Sequence, residues 1–73
     1  MSYNYAKLNG RIREKCGNQI VFAHKMGMSE HTISMKLNSK VSWKQPEIER
    51  ACTVLDIQRH DIPAYFFDLK VQY

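Results

Sequence analysis

Apolar residues recur along most of the chain at the spacing of an amphipathic α-helix. The first stripe has intervals of three, four and four residues and consists of Tyr5, Leu8, Ile12 and Cys16. A similar stripe returns later and consists of Ile48, Ala51, Cys52 and Leu55. Asn4 is a candidate cap for the first of these helices, and Gly17 is a candidate end. The pattern therefore predicts two amphipathic helices, the first and the fourth of the chain.

Two shorter helices are predicted between them. Asn18 can cap a second helix that ends at Gly27, because glycine adopts the positive φ angle of a sharp turn. Ser29 can cap a third helix that runs to about residue 38, and Met28 fills the turn. The predicted layout is a helix, a glycine turn and a second helix whose N-terminus points outward.

The rest of the chain is predicted to hold a fourth helix, a fifth helix and a tail. Ser42 and Gln45 form a possible capping box for the fourth helix. His60 or Asp61 can cap a last short helix over 62–67, where proline is tolerated in the first turn. These elements are all helical, so the pattern predicts an all-α fold.

The tail, residues 68–73, alternates polar and apolar side chains, which is the periodicity of a strand. No other segment of the chain predicts a strand to pair with it. One interpretation is a strand that pairs with the same strand of a second subunit, in a weak homodimer. The other is a tail whose Leu69 and Val71 cover the core. In either case we expect one domain over residues 1–73.

The net charge of +4 is unevenly distributed. Residues 1–44 contain eight lysines and arginines against two glutamates, while residues 45–73 contain three basic against five acidic side chains. A polyanion is the natural partner of the basic part, and a solvated cationic surface is the alternative. The longest strictly apolar run has only four residues, 20–23, so we expect neither a membrane span nor a secretion signal.

The sequence offers no constellation for catalysis or for metal binding. Cys16 and Cys52 are far apart and fall at apolar helix positions, which is typical of small buried side chains in a reducing cytosol. His24, His31 and His60 lie on different predicted elements, without the spacing of a zinc site. We therefore expect no enzyme activity, no cofactor and no metal.

The stretch from residue 18 to residue 38, NQIVFAHKMGMSEHTISMKLN, resembles the helix-turn-helix of the Cro and CI repressors of temperate phages. The matching positions are Asn18, Gln19, Phe22, Ala23, Met26, Gly27, Met28, Ser29 and Ile33. The flanking stretches YNYAKLNGRI and DIPAYFF resemble a narrower group, the small Cro-like regulators of phages from Gram-positive hosts. That group includes the modulator-of-repression proteins. The resemblance implies a lambda-repressor-like DNA-binding domain of five helices, with a possible short C-terminal strand.

In this family the third helix enters the major groove of DNA by its N-terminal end. Carried over by position, the resemblance implies DNA contacts from Gln19, Ser29, Glu30, His31, Ser34, Asn38 and Lys40. Gln19 would bind a phosphate, while Asn38 and Lys40 would hold the DNA backbone beyond helix three. The Glu30 carboxylate would accept a hydrogen bond from cytosine, or would only favour the positive end of its own helix.

Several positions depart from the family pattern. Val21 is apolar on the outer face of helix two, and Met35 stands where a polar base reader is usual. Ser39 replaces a frequent glycine, which predicts a different end for helix three. Apolar side chains on a DNA-reading face favour a protein partner, although scattered exposed apolar residues are also ordinary. The predicted partner-binding residues are Val21, Met28, His31 and Met35.

Two functions follow from the resemblance. The first is a phage transcriptional regulator of the lysis–lysogeny switch, which acts as an antirepressor or modulator by binding the phage CI-type repressor. The second is a stand-alone Cro-type repressor that binds operator DNA in a sequence-specific way. Both imply a cytoplasmic protein of the host cell, associated with the nucleoid.

Overall fold

The computed structural model describes residues 2–70 and contains five α-helices joined by short loops. The helices are α1 (Ala6–Cys16), α2 (Gln19–Met26), α3 (Glu30–Leu37), α4 (Gln45–Leu55) and α5 (Ile62–Phe66), with a 3₁₀ turn at Arg59–Asp61. Across residues 2–70 the extended pairing is limited to an isolated bridge. The fold is therefore all-α with five helices, as the apolar spacing predicts.

The core is filled largely by the side chains that the helical stripes predict. α1 contributes Leu8 and Ile12, and α4 contributes Ala51 and Leu55. α1 packs against α2, α4 and α5, while α2 packs against α3 and α4. The largest fully buried side chains are Phe22, Phe66, Leu8, Ile12, Met26, Ile33 and Leu55. α1 and α2 therefore form the centre of the packing, and α3 lies at one side of it.

The two ends of the described region pair with each other. Tyr3 and Leu69 form an antiparallel bridge, and the N–H of Asn4 donates to the C=O of Asp68 at 2.6 Å. The expectation that the tail has no partner within the chain is wrong, because the segment that precedes α1 supplies one. Leu69 is 46% exposed, so it does not cover the core either. Residues 71–73 lie outside the described residues, and the interpretations of that part stay predictions.

The start of α4 differs from the predicted one. The N-cap is Lys44, whose N–H donates to the Glu47 carboxylate at 2.8 Å, so the predicted capping box of Ser42 and Gln45 is wrong. The reason is tertiary: the Glu47 carboxylate is also held by Lys36 of α3, at 2.9 Å. A contact between two helices therefore sets where α4 begins.

The turn between α2 and α3 is built on a left-handed glycine. Gly27 has φ +70°, the N–H of Gly27 donates to the C=O of His24, and the N–H of Met28 donates to the C=O of Ala23 at 3.0 Å. These two bonds make a Schellman ending, which uses the left-handed conformation that glycine adopts at low cost. α2 therefore ends at Gly27 as the sequence predicts.

Two glycine-to-alanine substitutions should act in opposite directions. Gly27→Ala should lower the free energy of unfolding by about 1 kcal/mol, because alanine is strained in the left-handed conformation. Gly10→Ala should raise it by about 1 kcal/mol, because Gly10 is exposed within α1 and a methyl group there meets no atom within 4 Å. Urea unfolding measures the change in the free energy of unfolding for each variant. Changes of the same sign in the two variants would contradict the role assigned to Gly27.

Candidate functional site

The surface that the resemblance singles out is formed by outward side chains of α2, the turn after it and α3. Ile33 and Leu37 of α3 point into the core. Lys36 lies on the same inner side, and the helical spacing turns Ser34 and Met35 outward. We call this the α2–α3 surface, and its members are Gln19, Ile20, Val21, Met28, Ser29, Glu30, His31, Ser34, Met35 and Asn38. Met28, Ser34 and Met35 are half-buried and the others are exposed.

The first turn of α3 is held by two hydroxyl groups. Ser29 caps the helix, because its Oγ accepts a hydrogen bond from the N–H of Thr32 at 3.1 Å. The same hydroxyl donates to Oγ1 of Thr32 at 2.8 Å. Ser29, a predicted DNA contact, is thus engaged within the protein. Glu30 and His31 are exposed, so they are the polar side chains of this turn that a partner can reach.

Of the remaining predicted DNA contacts, some are engaged within the protein and others are exposed. The side-chain amide of Asn38 donates to the C=O of Ser34 at 2.8 Å and lies 3.4 Å from its Oγ. These two side chains therefore engage each other. Lys40 is exposed in the loop after α3, while Gln19 is exposed at the start of α2, in the turn capped by Asn18. The structure brings the α3 residues together and leaves Gln19 and Lys40 at the margins.

Ser39 adopts the conformation in which glycine is usual. Its φ is +59°, and the N–H of Lys40 donates to the C=O of Met35 at 2.9 Å. α3 therefore ends with a turn like that of α2, and the prediction of a different ending is wrong. The left-handed backbone costs about 1 kcal/mol. The Ser39 hydroxyl offsets this cost, because it accepts from the N–H of Tyr3 at 3.2 Å and donates to its C=O at 3.4 Å.

Exposed apolar side chains lie on the first turn of α2. Ile20 is 57% exposed and Val21 is 37% exposed, whereas Phe22 and Ala23 are buried. Val21 is among the predicted site residues, whereas Ile20 is not. The available signal was that four apolar residues follow one another in α2, and one face of a helix cannot bury all four. The apolar area of this surface is therefore larger than predicted.

Lys36 is a buried cation on the inner side of α3. It is 2% exposed, its Nζ lies 2.9 Å from Oε1 of Glu47, and it donates to the C=O of Ser42 at 2.8 Å. Burial alone would raise the pKa of Glu47. Hydrogen bonds from Lys36 and from the N–H of Lys44, together with these two positive charges, outweigh burial and hold that pKa below its usual value. Lys36 therefore fixes α3 to α4 and cannot reach a phosphate.

Two arginines of the chain also form hydrogen bonds that connect helices. Arg50 donates from Nη1 to the C=O of Met26 at 3.0 Å, at the end of α2. Arg11 donates to the C=O groups of Leu55 at 2.8 Å and Asp56 at 3.0 Å, at the end of α4. A cation at a helix C-terminus satisfies carbonyl groups that have no partner in the helix. Both arginines therefore hold helix ends in place.

The exposed charge of residues 19–38 is close to zero. Between residues 19 and 38 the exposed lysines and carboxylates are Lys25 and Glu30, one of each sign. Lys36 is buried and paired. The excess of positive charge in the first part of the chain is therefore carried outside these two helices.

Among residues 2–70 no group of three His, Cys, Asp or Glu side chains is placed to hold a metal ion. Cys16 and Cys52 are free and half-buried. Of the helices in the described part of the chain, none has the length and apolar character to cross a membrane.

Two short helices joined by a glycine turn, within a bundle of five, define a small all-α fold. Over residues 1–69 the chain matches the model of a family described as "Protein of unknown function (DUF739)", and it belongs to that family. It is similar to the modulator of repression (MOR) of the temperate bacteriophage TP901-1 from Lactococcus lactis, known from a solution structure. The two share 56% identity and a TM-score of 0.83, over 99% of this chain and 97% of that chain.

Among curated proteins, none matches the chain. The resemblance to modulator-of-repression proteins, drawn from the flanking stretches, is confirmed by the solved structure.

Glu47→Gln should lower the free energy of unfolding at pH 7 by about 2 kcal/mol, because buried Lys36 loses its charged partner. The pKa of Glu47 is lower in the folded state, so its contribution is present above the unfolded pKa and is lost as pH falls through the folded pKa. The difference between the parent and the variant, measured by urea unfolding, should therefore shrink as pH is lowered.

The matched control is Glu49→Gln, which removes an exposed carboxylate from the same helix. The free energy of unfolding of this variant should differ little from that of the parent, both at pH 7 and at acidic pH. A loss in Glu47→Gln that is equally large at neutral and acidic pH would contradict the assigned role of the carboxylate.

Proposed function

We propose that this protein is a phage transcriptional regulator that modulates repression by binding the CI-type repressor of its phage through the α2–α3 surface. The similarity to the modulator of repression of bacteriophage TP901-1 extends over almost the whole of both chains, at 56% identity. Such identity supports a shared role as well as a shared fold. In this proposal the protein acts in the host cytoplasm, where a phage repressor and its operator meet.

The observation that carries the proposal is an exposed apolar pair on a surface that has no exposed lysine or arginine among its members. Ile20 and Val21 are exposed side by side on α2, and Lys25 and Glu30 balance each other. Binding to duplex DNA draws much of its affinity from cations that neutralise phosphates. Binding to a protein draws on desolvated apolar groups surrounded by polar ones. The α2–α3 surface has the composition of the second case.

Glu30 gives the proposed complex an orientation. The exposed carboxylate stands on the first turn of α3, at the point that would approach DNA in a helix-turn-helix protein. Against DNA it would face phosphates of the same sign. Against the cationic DNA-reading surface of a repressor it would face the opposite sign, which favours binding. In this proposal the modulator covers the surface with which the repressor reads its operator, or joins it there in a new complex.

The alternative function is a stand-alone repressor that binds operator DNA. The exposed Gln19, His31 and Lys40 favour it, because all three are at positions where the family contacts bases or phosphates. This function requires tight binding to operator DNA in the absence of any other protein. It also requires that Gln19→Ala and Lys40→Ala weaken that binding.

Val21→Glu should weaken binding to the purified CI-type repressor by at least about tenfold, because a charge would be placed in an apolar contact. The matched control is Val41→Glu. Val41 is 41% exposed, similar to Val21 at 37%, but it lines a separate cleft with Tyr3 and Trp43. Calorimetric titration of each folded variant with the repressor measures the difference.

The same proteins should then be mixed with operator DNA, with and without the repressor. The proposal predicts that the protein alone leaves the DNA free, and that it changes the repressor–DNA complex unless Val21 is substituted. Equal affinity of Val21→Glu and the parent for the repressor would contradict the proposed surface. Tight operator binding by the protein alone would support the alternative.

A further inference from the structure

A groove lies on the side of α4 that faces away from α3. α4 and α5 each pack against α1, but they have little contact with each other. The space between α4 and the segment from Arg59 to Phe67 measures about 460 Å³. A second depression continues it along α4 as far as Asp56. We call the two together the α4–α5 groove.

The floor of the α4–α5 groove is apolar. Its apolar lining consists of Trp43, Ile48, Cys52, Ile57, Ile62 and Phe67. Phe67 is 52% exposed, although its neighbour Phe66 is 2% exposed and packs edge-on against Trp43. Phe67 is thus a large, half-exposed aromatic side chain at the mouth of an apolar groove. A partner that covers such a side chain is bound more favourably, because apolar area is removed from water.

The two sides of α4 serve different surfaces. Glu47 and Arg50 face α2 and α3, since Glu47 pairs with Lys36 and Arg50 donates to the C=O of Met26. Ile48 and Cys52, four residues apart, line the α4–α5 groove. The groove is therefore separate from the α2–α3 surface, and an occupant of one leaves the other accessible.

The charge at the groove is negative in a chain whose net charge is +4. Glu49 and Asp56 line the groove on α4, and Arg59 is the cation among the lining residues. The excess of carboxylates is complementary to a partner with basic residues around an apolar face.

The structure of the groove walls indicates which secondary structure a bound segment would have. Both walls are side chains of helical segments, whose backbone groups bond within their own helices. The groove therefore offers no strand edge to an extended peptide, and the helix-in-groove mode is the one it fits. α4 has 11 residues and is about 16 Å long, enough for about three turns of a partner helix.

We propose that the α4–α5 groove is a second docking surface and that its occupant is an amphipathic helix of a protein partner, with an apolar stripe flanked by lysine and arginine. The inference goes beyond the proposed function, because it concerns a different surface and stands without the repressor. In a modulator that holds a repressor through α2 and α3, this groove would add a second contact to the same partner or recruit another.

The test uses the full chain and two synthetic helical peptides of about 15 residues, long enough for partial helicity. Both carry leucines at helical spacing; one has lysine and arginine beside the stripe, the other glutamate. Titration of the ¹⁵N-labelled protein at low salt should give saturable binding of the basic peptide, at least about tenfold tighter than of the acidic one. The amide shifts should cluster at Ile48, Cys52 and Phe67, not on α2 and α3.

Two pairs of variants keep the test specific to the groove. Phe67→Ser should weaken binding of the basic peptide by about tenfold, while Ile20→Ser, at a similarly exposed apolar side chain on α2, should not. Glu49→Lys should weaken the basic peptide and strengthen the acidic one, while Glu30→Lys should do neither. The amide spectrum of each variant verifies that it is folded.

Each of four peptide-binding results would overturn the proposal. They are the absence of saturable binding by the basic peptide, equal binding of the two peptides, shifts confined to α2 and α3, and an equal loss in Ile20→Ser and Phe67→Ser. Occupation of the groove by a small aromatic probe such as indole, without binding of either peptide, would assign it to small ligands and would overturn the proposal as well.

Discussion

The contact between Lys36 and Glu47 is the interaction on which the exposed face of the protein depends. It joins α3 to the first turn of α4 and ties both to the loop between them through the C=O of Ser42. Two desolvated charges are costly unless hydrogen bonds satisfy them. Here the lysine has two oxygen partners, and the carboxylate also accepts from the N–H of Lys44. The orientation of α3, and hence of Glu30 and His31, follows from this cluster.

The same use of cations recurs at two other helix ends. Arg50 bonds to the carbonyl end of α2, and Arg11 bonds to the carbonyl end of α4. A domain of this size has a small core, so polar contacts between helices contribute a large share of its order. The consequence is functional: Lys36, which is buried and paired with Glu47, is not accessible to a polyanion. The basic composition and the neutral α2–α3 surface are therefore compatible.

The sequence predicts what depends on local pattern and fails where the cause is tertiary. The five helices, the Asn18 and Ser29 caps and the end of α2 at Gly27 could all be predicted, because spacing and turn chemistry determine them. Lys36 could not be predicted as a buried side chain, since its partner is eleven residues away on another helix. The pairing of the tail with the segment before α1 could not be predicted either, because that segment is too short to show a strand pattern of its own.

The central claim is that the α2–α3 surface lacks the charge for DNA and is suited to a protein. The most direct test is the salt dependence of binding to a short DNA duplex without operator sequence. The slope of log K against log salt reports how many phosphates the protein neutralises. The account predicts no measurable binding, or a slope no steeper than about −2. A slope of about −4 or steeper, lost when the lysines and arginines flanking this surface are replaced, would contradict it.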